Sequence, residues 1–260
     1  MMTMQTRSLI LAITGALTLG ACDKNAVQEI AAPTAGAKVK FFNFGINAPG
    51  VNFYANDAKV TAVGSTTGFE ATTGVTYGNA GNGAFYSDLP AGAYTFTGKI
   101  AATIDKDLAV SRITATLESG KSYSVYMSGF YDATAKTVEG FVVTDDYPAT
   151  FDYSQALVRF VNASPNSSPM TLYATNTTTN AESAVGAAAA YKSAAAFTAV
   201  PSGIYNLNAR VAGSSTNVFA RSNVTFLAGR VYTIGARGDA TVSTTGTATN
   251  RAFLDNTLNR

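Results

Sequence analysis

Two stretches of the chain, VKFFNFGINAPGVNFYA at residues 39–55 and VRFVNASPNSSPMTLYA at residues 158–174, align with each other without a gap. Self-similarity at this spacing is the signature of a structural unit that is written twice. The stretches alternate apolar and polar residues and are rich in aromatic and β-branched side chains, which is typical of strands. The identical pairs are Val39/Val158, Phe41/Phe160, Asn43/Asn162, Asn47/Asn166, Tyr54/Tyr173 and Ala55/Ala174.

Two later blocks repeat in the same order. LPAGAYTFTGKI at residues 89–100 matches VPSGIYNLNARV at 200–211, and TLESGKSYSVYMSG at 116–129 matches TFLAGRVYTIGARG at 225–238. Three collinear blocks predict a first β-sandwich repeat over residues 38–152 and a second over 153–260. The intervening loops are shorter in the second copy.

Short runs with a period of two, separated by Gly, Asn, Pro or Asp, predict an all-β chain. About seven strands in each copy favour two tandem antiparallel β-sandwich domains of immunoglobulin-like or transthyretin-like type. In LPAGAY, Pro90 ends one strand and Tyr94 begins the next with its ring inward. The Ala-rich run at 183–197 has the composition of a short helix, but its alignment with the first copy favours a loop followed by a strand.

The second copy resembles the repeat called domain of unknown function 4397. The resemblance rests on Arg159, Asn162, Ser164, Pro165 and Tyr173, together with Ala163 and the later PSGIY block. The first copy keeps TYG at 76–78 and LPAG at 89–92, but has NFGIN where the family has Ala-Ser-Pro. The resemblance implies a secreted or lipid-anchored envelope protein with β-sandwich domains, and it implies no activity.

Composition excludes several functional classes. The formal net charge is +2, and no run of basic residues would collect nucleic acid. The chain has one cysteine and no histidine, which removes paired-cysteine zinc sites and the commonest catalytic base. No loop has a recognised calcium pattern, and Asp105, Asp107, Asp145, Asp146 and Asp152 are expected in solvated turns. We therefore expect neither a metal site nor a cofactor.

The N-terminus has the features of a lipoprotein signal. Arg7 precedes an apolar run that is shorter than the roughly 20 residues of a membrane span, and Leu19-Gly20-Ala21-Cys22 resembles the bacterial lipoprotein box. The resemblance implies a signal peptide over 1–21, acyl chains such as palmitate on Cys22, and a tether over 22–37. We expect anchoring in the bacterial outer membrane, although Asp23 leaves the inner membrane open.

Four tyrosines have no counterpart in the other copy and are candidates for an aromatic binding surface: Tyr126, Tyr131, Tyr147 and Tyr153. They favour a non-enzymatic module for binding, adhesion or envelope architecture, with an envelope protein or a glycan as its ligand. The alternative is a carbohydrate-active or other hydrolytic enzyme that uses paired carboxylates, because their separation cannot be read from sequence. A third possibility is a structural spacer that serves a partner protein.

Overall fold

The computed structural model describes residues 36–260, so the signal peptide, Cys22 and nearly all of the tether lie outside the described residues. The strands of the first repeat are β1 (Ala37–Ile46), β2 (Val51–Ala55), β3 (Ala58–Lys59), β4 (Asn79–Ala80), β5 (Ser87–Leu89), β6 (Gly92–Ile100), β7 (Ala109–Leu117), β8 (Ser122–Phe130) and β9 (Gly140–Thr144). A 3-10 turn at Gly81–Ala84 follows β4.

The second repeat has the same strands in the same order. They are β10 (Gln155–Asn162), β11 (Met170–Asn176), β12 (Glu182–Ala189), β13 (Ser193–Ala194), β14 (Thr198–Pro201), β15 (Gly203–Val211), β16 (Phe219–Phe226), β17 (Val231–Arg237) and β18 (Phe253–Leu258).

Each repeat is a sandwich of two sheets, which confirms the predicted all-β fold class. One sheet, here the outer sheet, has the order β3-β2-β6-β7 in the first repeat and β12-β11-β15-β16 in the second. The other, here the junction sheet, is β4-β1-β8-β9 with β5 also on β1, and β13-β10-β17-β18 with β14 on β10. The pairs β1/β8 and β10/β17 are parallel, a feature that the period of two does not predict.

An apolar core fills the space between the two sheets of each repeat. In the first repeat, Phe41 of the junction sheet meets Phe53 and Phe96 of the outer sheet, with ring centroids 5.3 and 5.5 Å apart. In the second, Phe226 of the outer sheet packs on Tyr232 of the junction sheet at 5.2 Å. The inward residues of each first strand are those that the sequence alternation predicts.

The repeated Pro-x-Gly-x-Tyr block closes on itself. The hydroxyl of Tyr94 donates a hydrogen bond to the carbonyl of Pro90 at 3.0 Å, and that of Tyr205 donates to Pro201 at 2.8 Å. The phenol thereby fixes the corner at which the chain enters β6 or β15, while its ring lies against the core. This contact explains why both copies carry tyrosine at this point.

The Ala-rich run lies mainly in strand β12, which a turn and the two-residue strand β13 follow. Val185 and Ala189 of β12 are buried in the second core, and β12 pairs with β11. The helical alternative is wrong, because burial and strand pairing outweigh the helix propensity of alanine. The expected order of a loop followed by a strand is also wrong, because β12 begins at Glu182.

Both faces of the junction sheets are covered. Val39 and Phe41 of β1 face their own core, whereas Phe42 and Phe44 are buried in a separate cluster that includes Val161 of the second repeat. The four sheets are therefore stacked in the order outer, junction, junction, outer. Within residues 36–260, no helix is long and apolar enough to cross a bilayer.

Candidate functional site

The junction between the two repeats has an apolar half that is built from aromatic rings. The ring of Tyr126 stacks on Phe42 at 4.7 Å and on Phe141 at 5.1 Å, and Val161 and Ala163 of the second repeat complete the cluster. Tyr126 is 1% exposed. It therefore holds the two repeats together in this structure and does not contribute to an exposed aromatic surface as the sequence suggested.

The two sides of this cluster differ in side-chain size. The first repeat contributes large rings, and the second contributes Val161, Ala163 and Gly235. A Cβ placed on Gly235 would lie 3.3 Å from the ring of Phe44, so glycine makes room for that ring. The equivalent of Gly235 in the first repeat is Tyr126, because Tyr123 and Tyr232 align in the repeated sequence.

The polar half of the junction centres on Arg159, which is 2% exposed. Its guanidinium forms an ion pair with Asp145, which follows β9 of the first repeat, and donates a 2.8 Å hydrogen bond to the carbonyl of Thr144. Its Nε donates to the hydroxyl of Thr233 at 3.0 Å. A buried charge needs such a complete set of partners to be tolerated.

Asp145 is the acceptor for two more groups of the first repeat. The hydroxyls of Tyr86 and Ser124 donate to its Oδ2 at 2.6 and 2.8 Å. The expectation that Asp145 lies in a solvated turn is wrong, because this carboxylate is the counter-ion of a buried arginine. Asp105, in contrast, forms an exposed ion pair with Lys136.

Lys40 makes the matching contact in the opposite direction. Lys40 is 1% exposed. Its ammonium donates to the carbonyl of Leu258 at 2.5 Å and to Oδ1 of Asn259 at 3.3 Å. The Asn259 amide donates in turn to Thr233 at 2.7 Å. Lys40 and Arg159 therefore reach across the junction in opposite directions, and each binds the end of the last strand of the other repeat.

An aromatic ring covers each of these cations. Lys40 Nζ lies 4.2 Å from the ring centroid of Tyr86, and the guanidinium carbon of Arg159 lies 4.7 Å from that of Phe197. Both rings immediately precede an equivalent edge strand, β5 or β14. The cation–π contacts replace part of the hydration that each charge loses on burial.

Burial also changes the proton affinities at the junction. Desolvation lowers the pKa of Lys40 to about 8; Asp145 opposes this shift, and the nearby Arg159 adds to it. Desolvation, with the negative charge of Asp145 as the second cause, raises the pKa of Tyr86 well above its usual range. Desolvation likewise raises the pKa of Tyr126, so both phenols stay protonated at physiological pH.

The other three candidate tyrosines do not lie on one surface. Tyr131 follows the C-terminal end of β8 and packs against the first core. Tyr147 and Tyr153 belong to the opposite end of the junction sheets, because Asp145 binds the backbone of Ser122 where β8 begins. Strand β8 has nine residues, so the two ends are about 27 Å apart. The structure thus separates Tyr131 from Tyr147 and Tyr153.

Tyr147 and Tyr153 differ in their surroundings. The ring of Tyr147 meets Phe197 edge-on at 5.6 Å, so it extends the cover over Arg159. Tyr153 is 55% exposed and packs at 4.9 Å against Phe151, with Arg260 above its ring. Of the four candidates, Tyr153 is the one with most of its surface open to a ligand.

Sequence reasoning missed the two buried cations, although a signal was present. Each first strand has a basic residue at the same position within an apolar run, VKF at 39–41 and VRF at 158–160. A charge inside a strand that is apolar on both sides indicates a buried partner of opposite polarity. Within residues 36–260, no group of three or more His, Cys, Asp or Glu side chains is arranged to hold a metal ion.

Comparison with known families identifies a family model that matches both repeats. The family model described as Domain of unknown function (DUF4397) matches residues 37–173 and again residues 156–258. The matches begin at the first strands of the two repeats and overlap over 156–173. No curated protein matches the chain.

Proposed function

Since the chain belongs to the family described as Domain of unknown function (DUF4397), whose description assigns no activity, we propose a function from the structure: a non-enzymatic, lipid-anchored envelope protein. In this proposal the two repeats act together as one binding, adhesion or structural module. The observation that carries it is the buried polar contact set of Lys40, Arg159 and Asp145 between the repeats.

That contact set supports a module and not a pair of independent domains. Removing either charged partner would leave a buried charge uncompensated, so the repeats have a strong energetic reason to stay together. Residues 35–260 accordingly form one compact unit. A fixed arrangement of two sandwiches presents one continuous surface to a partner, as adhesion and scaffold proteins require.

The positions of the acidic side chains support a non-enzymatic role. Hydrolysis of a glycosidic bond requires two carboxyl groups that flank an open cleft. Asp145 and Asp255, which are buried or half-buried, instead each pair with an arginine, Arg159 and Arg237 respectively. To test this role, the purified protein would be incubated with envelope glycans, and steady turnover of any of them would overturn the proposal.

The anchor is proposed from the sequence around Cys22, where LGAC has the form of a lipoprotein box. Two or three acyl chains would hold the protein stably at a membrane, since each buried CH₂ contributes about 0.8 kcal/mol. Nothing in the apolar run ahead of Cys22 is long enough for a spanning helix of roughly 20 residues. The anchor would leave both repeats outside the bilayer.

Metabolic labelling with a fatty acid tests the anchor. The wild-type chain is expected to take up the label and to remain with the membrane fraction after a high-salt wash. Cys22→Ser is expected to do neither, while Asp23→Ser, the matched control, keeps the label and reports on the choice of membrane. Label on the Cys22→Ser variant would refute lipidation at this residue.

A further inference from the structure

One edge of the junction has a cavity of about 370 Å³ that both repeats line. The first repeat contributes Thr76 and Tyr77, and the second contributes Arg237, Arg251 and Phe253. Small-molecule sites usually have volumes of about 300 to 1,000 Å³ and combine apolar walls with a few polar groups. This cavity has both properties.

Arginines surround one phenylalanine in the wall of the cavity. The guanidinium carbons of Arg237, Arg251 and Arg221 lie 4.8, 5.4 and 5.4 Å from the ring centroid of Phe253. Arg237 also lies 4.9 Å from the ring of Tyr77. These cation–π contacts hold the guanidinium groups against the aromatic wall of the cavity.

Nearby acceptors use only part of the donor capacity. Arg237 donates through Nε to Asp255, and Arg251 donates through Nη1 to the carbonyl of Gly246 at 3.1 Å. The other carboxylate close by, Asp239, accepts from Asn166 and Thr241. The cluster therefore has more positive charge than its own carboxylates neutralise.

One polar atom in the wall, Nε of Arg251, has no hydrogen-bond partner within residues 36–260 and is shielded from solvent. Burial raises the pKa of Tyr77. The hydrogen bond and the charge of Arg237 offset only part of that rise, so the hydroxyl stays protonated. Buried polar atoms without a partner are uncommon and mark a place where a ligand or water binds.

The equivalent edge at the other side of the junction does not have these features. There, Ser128 stands in place of Arg237, Phe141 in place of Asp255, and Glu139 in place of Phe253. Glu139 pairs with Lys192, which corresponds to Gly78. The accumulation of arginine is thus specific to one edge and does not come from the duplication itself.

Local backbone features make room for the arginines. A Cβ on Gly78 would lie 2.8 Å from the guanidinium carbon of Arg237, and the φ of +80° also favours glycine. The loop between β17 and β18, residues 238–252, is longer than its counterpart at 131–139 and supplies Thr247, Thr249 and Arg251 to the rim.

We propose that this cavity, the arginine cavity, binds a small organic oxyanion. Arg237 and Arg251 hold its carboxylate or phosphate group, since the guanidinium fork matches both groups. The body of the ligand lies against the rings of Phe253 and Tyr77, and the threonines of the rim bind its hydroxyls. The assignment rests on the proposed binding role, but it does not depend on the lipid anchor.

Calorimetric titration of the full-length protein in detergent tests the site with three matched probes. Glucuronate and glucose 6-phosphate are expected to bind, and their affinities are expected to fall as salt is added. Glucose, which has the same ring without the charge, is expected not to bind. The ratio of the two anion affinities distinguishes a carboxylate ligand from a phosphate ligand.

Two variants of cavity residues and one control variant connect binding to the cavity. Arg251→Gln, which breaks no ion pair, is expected to weaken both anions by about tenfold or more, the effect of losing one charge-assisted hydrogen bond. Arg230→Gln removes an exposed arginine elsewhere and is expected to bind as wild type does. Arg237→Lys keeps the charge beside Asp255 but loses the fork, so it is expected to discriminate less between the anions.

The proposal is overturned if neither anion binds at millimolar concentration, or if Arg251→Gln and wild type bind equally well. It is also overturned if glucose binds as tightly as glucuronate. Thermal unfolding of each variant shows whether a loss of binding comes from a loss of folding. Fatty-acid labelling is independent of this result, so failure of the anchor and failure of the cavity can be told apart.

Discussion

Lys40 and Arg159 occupy the same position in the first strands of the two repeats, and each binds the end of the other repeat's last strand. Lys40 faces Ser124 in the β1/β8 register, and Arg159 faces Thr233 in the β10/β17 register. The contacts are related by an approximate twofold axis, as in an isologous dimer that has been joined into one chain.

The first prediction concerns the ion pair of Arg159 and Asp145. Asp145→Asn leaves the arginine charge buried without its counter-ion, so the free energy of unfolding is expected to fall by about 3–5 kcal/mol. Urea denaturation followed by tyrosine fluorescence measures the change. Asp105→Asn, which breaks the exposed pair with Lys136, is the matched control and is expected to leave stability nearly unchanged. Equal midpoints for the two variants would show that the junction does not depend on this pair.

The second prediction is that the free energy of unfolding rises as the pH increases above about 8, because the buried Lys40 loses its proton there. The unfolded chain holds this proton with a pKa of 10.5 and the native protein with a pKa of about 8. Because the unfolded state binds more protons between these values, the contribution of Lys40 to stability increases from pH 8 upward, by an amount on the order of 2 kcal/mol.

Urea midpoints at about pH 7.5 and about pH 9.5 measure this effect. Lys40→Met is the comparison, and it is expected to lose the rise because it has no proton to release. The groups that face Lys40 are Tyr86, Asp145, Arg159 and Asn259. The raised pKa of Tyr86 acts in the opposite direction above pH 10, so the measurement stays below that pH. Parallel pH profiles for the two proteins would contradict the prediction.

The third prediction concerns the apolar half of the junction. Phe44 is 2% exposed, and Phe44→Ala is expected to cost about 3–5 kcal/mol through lost burial and a cavity beside Gly235. Phe69→Ala, at a residue that is 78% exposed, controls for the loss of a phenyl ring and is expected to change little. Differential scanning calorimetry of both variants provides the comparison.

The fourth prediction concerns the asparagine that both copies share within the first strand, Asn43 in β1 and Asn162 at the end of β10. The amide of Asn162 donates to the carbonyl of Ala189 at 3.1 Å, and its Oδ1 accepts from the backbone of Ser164. Asn162→Ala leaves buried groups unpaired and is expected to cost about 1–3 kcal/mol. Asn79→Ala, which removes an exposed bond to Thr76, is the control. Hydrogen exchange at the backbone N–H of Ser164 should quicken only in the first variant.

Much of the fold follows from local patterns in the sequence. The alternation at Val39 and Phe41 predicts the strands and their inward faces, and the Pro90-to-Tyr94 block predicts a corner in both copies. The two-sided burial of β1 is harder to predict, because it depends on the docking of a second sheet. The run of Phe41, Phe42 and Phe44 was its signal, since sheets that are covered on both faces have nearly continuous apolar strands.

The candidate site is less predictable, because its residues are far apart in the chain. Because its counterpart, Gly235, is not aromatic, the sequence predicts that Tyr126 is available for binding. That difference instead reflects the fit of a large side chain against a small one across the junction. The arginine cavity joins Tyr77 to Arg237 and Arg251, and neither repeats nor spacing in the sequence bring these residues together.

The unequal sizes of the junction residues affect which surfaces can pair. If two first repeats met through this face, Phe44 and Tyr126 of one would collide with the same side chains of the other. Two second repeats would leave a gap along Val161, Ala163 and Gly235. Each half of the chain therefore fits the other half better than a copy of itself, so the junction faces favour pairing of a first repeat with a second repeat over pairing of like repeats.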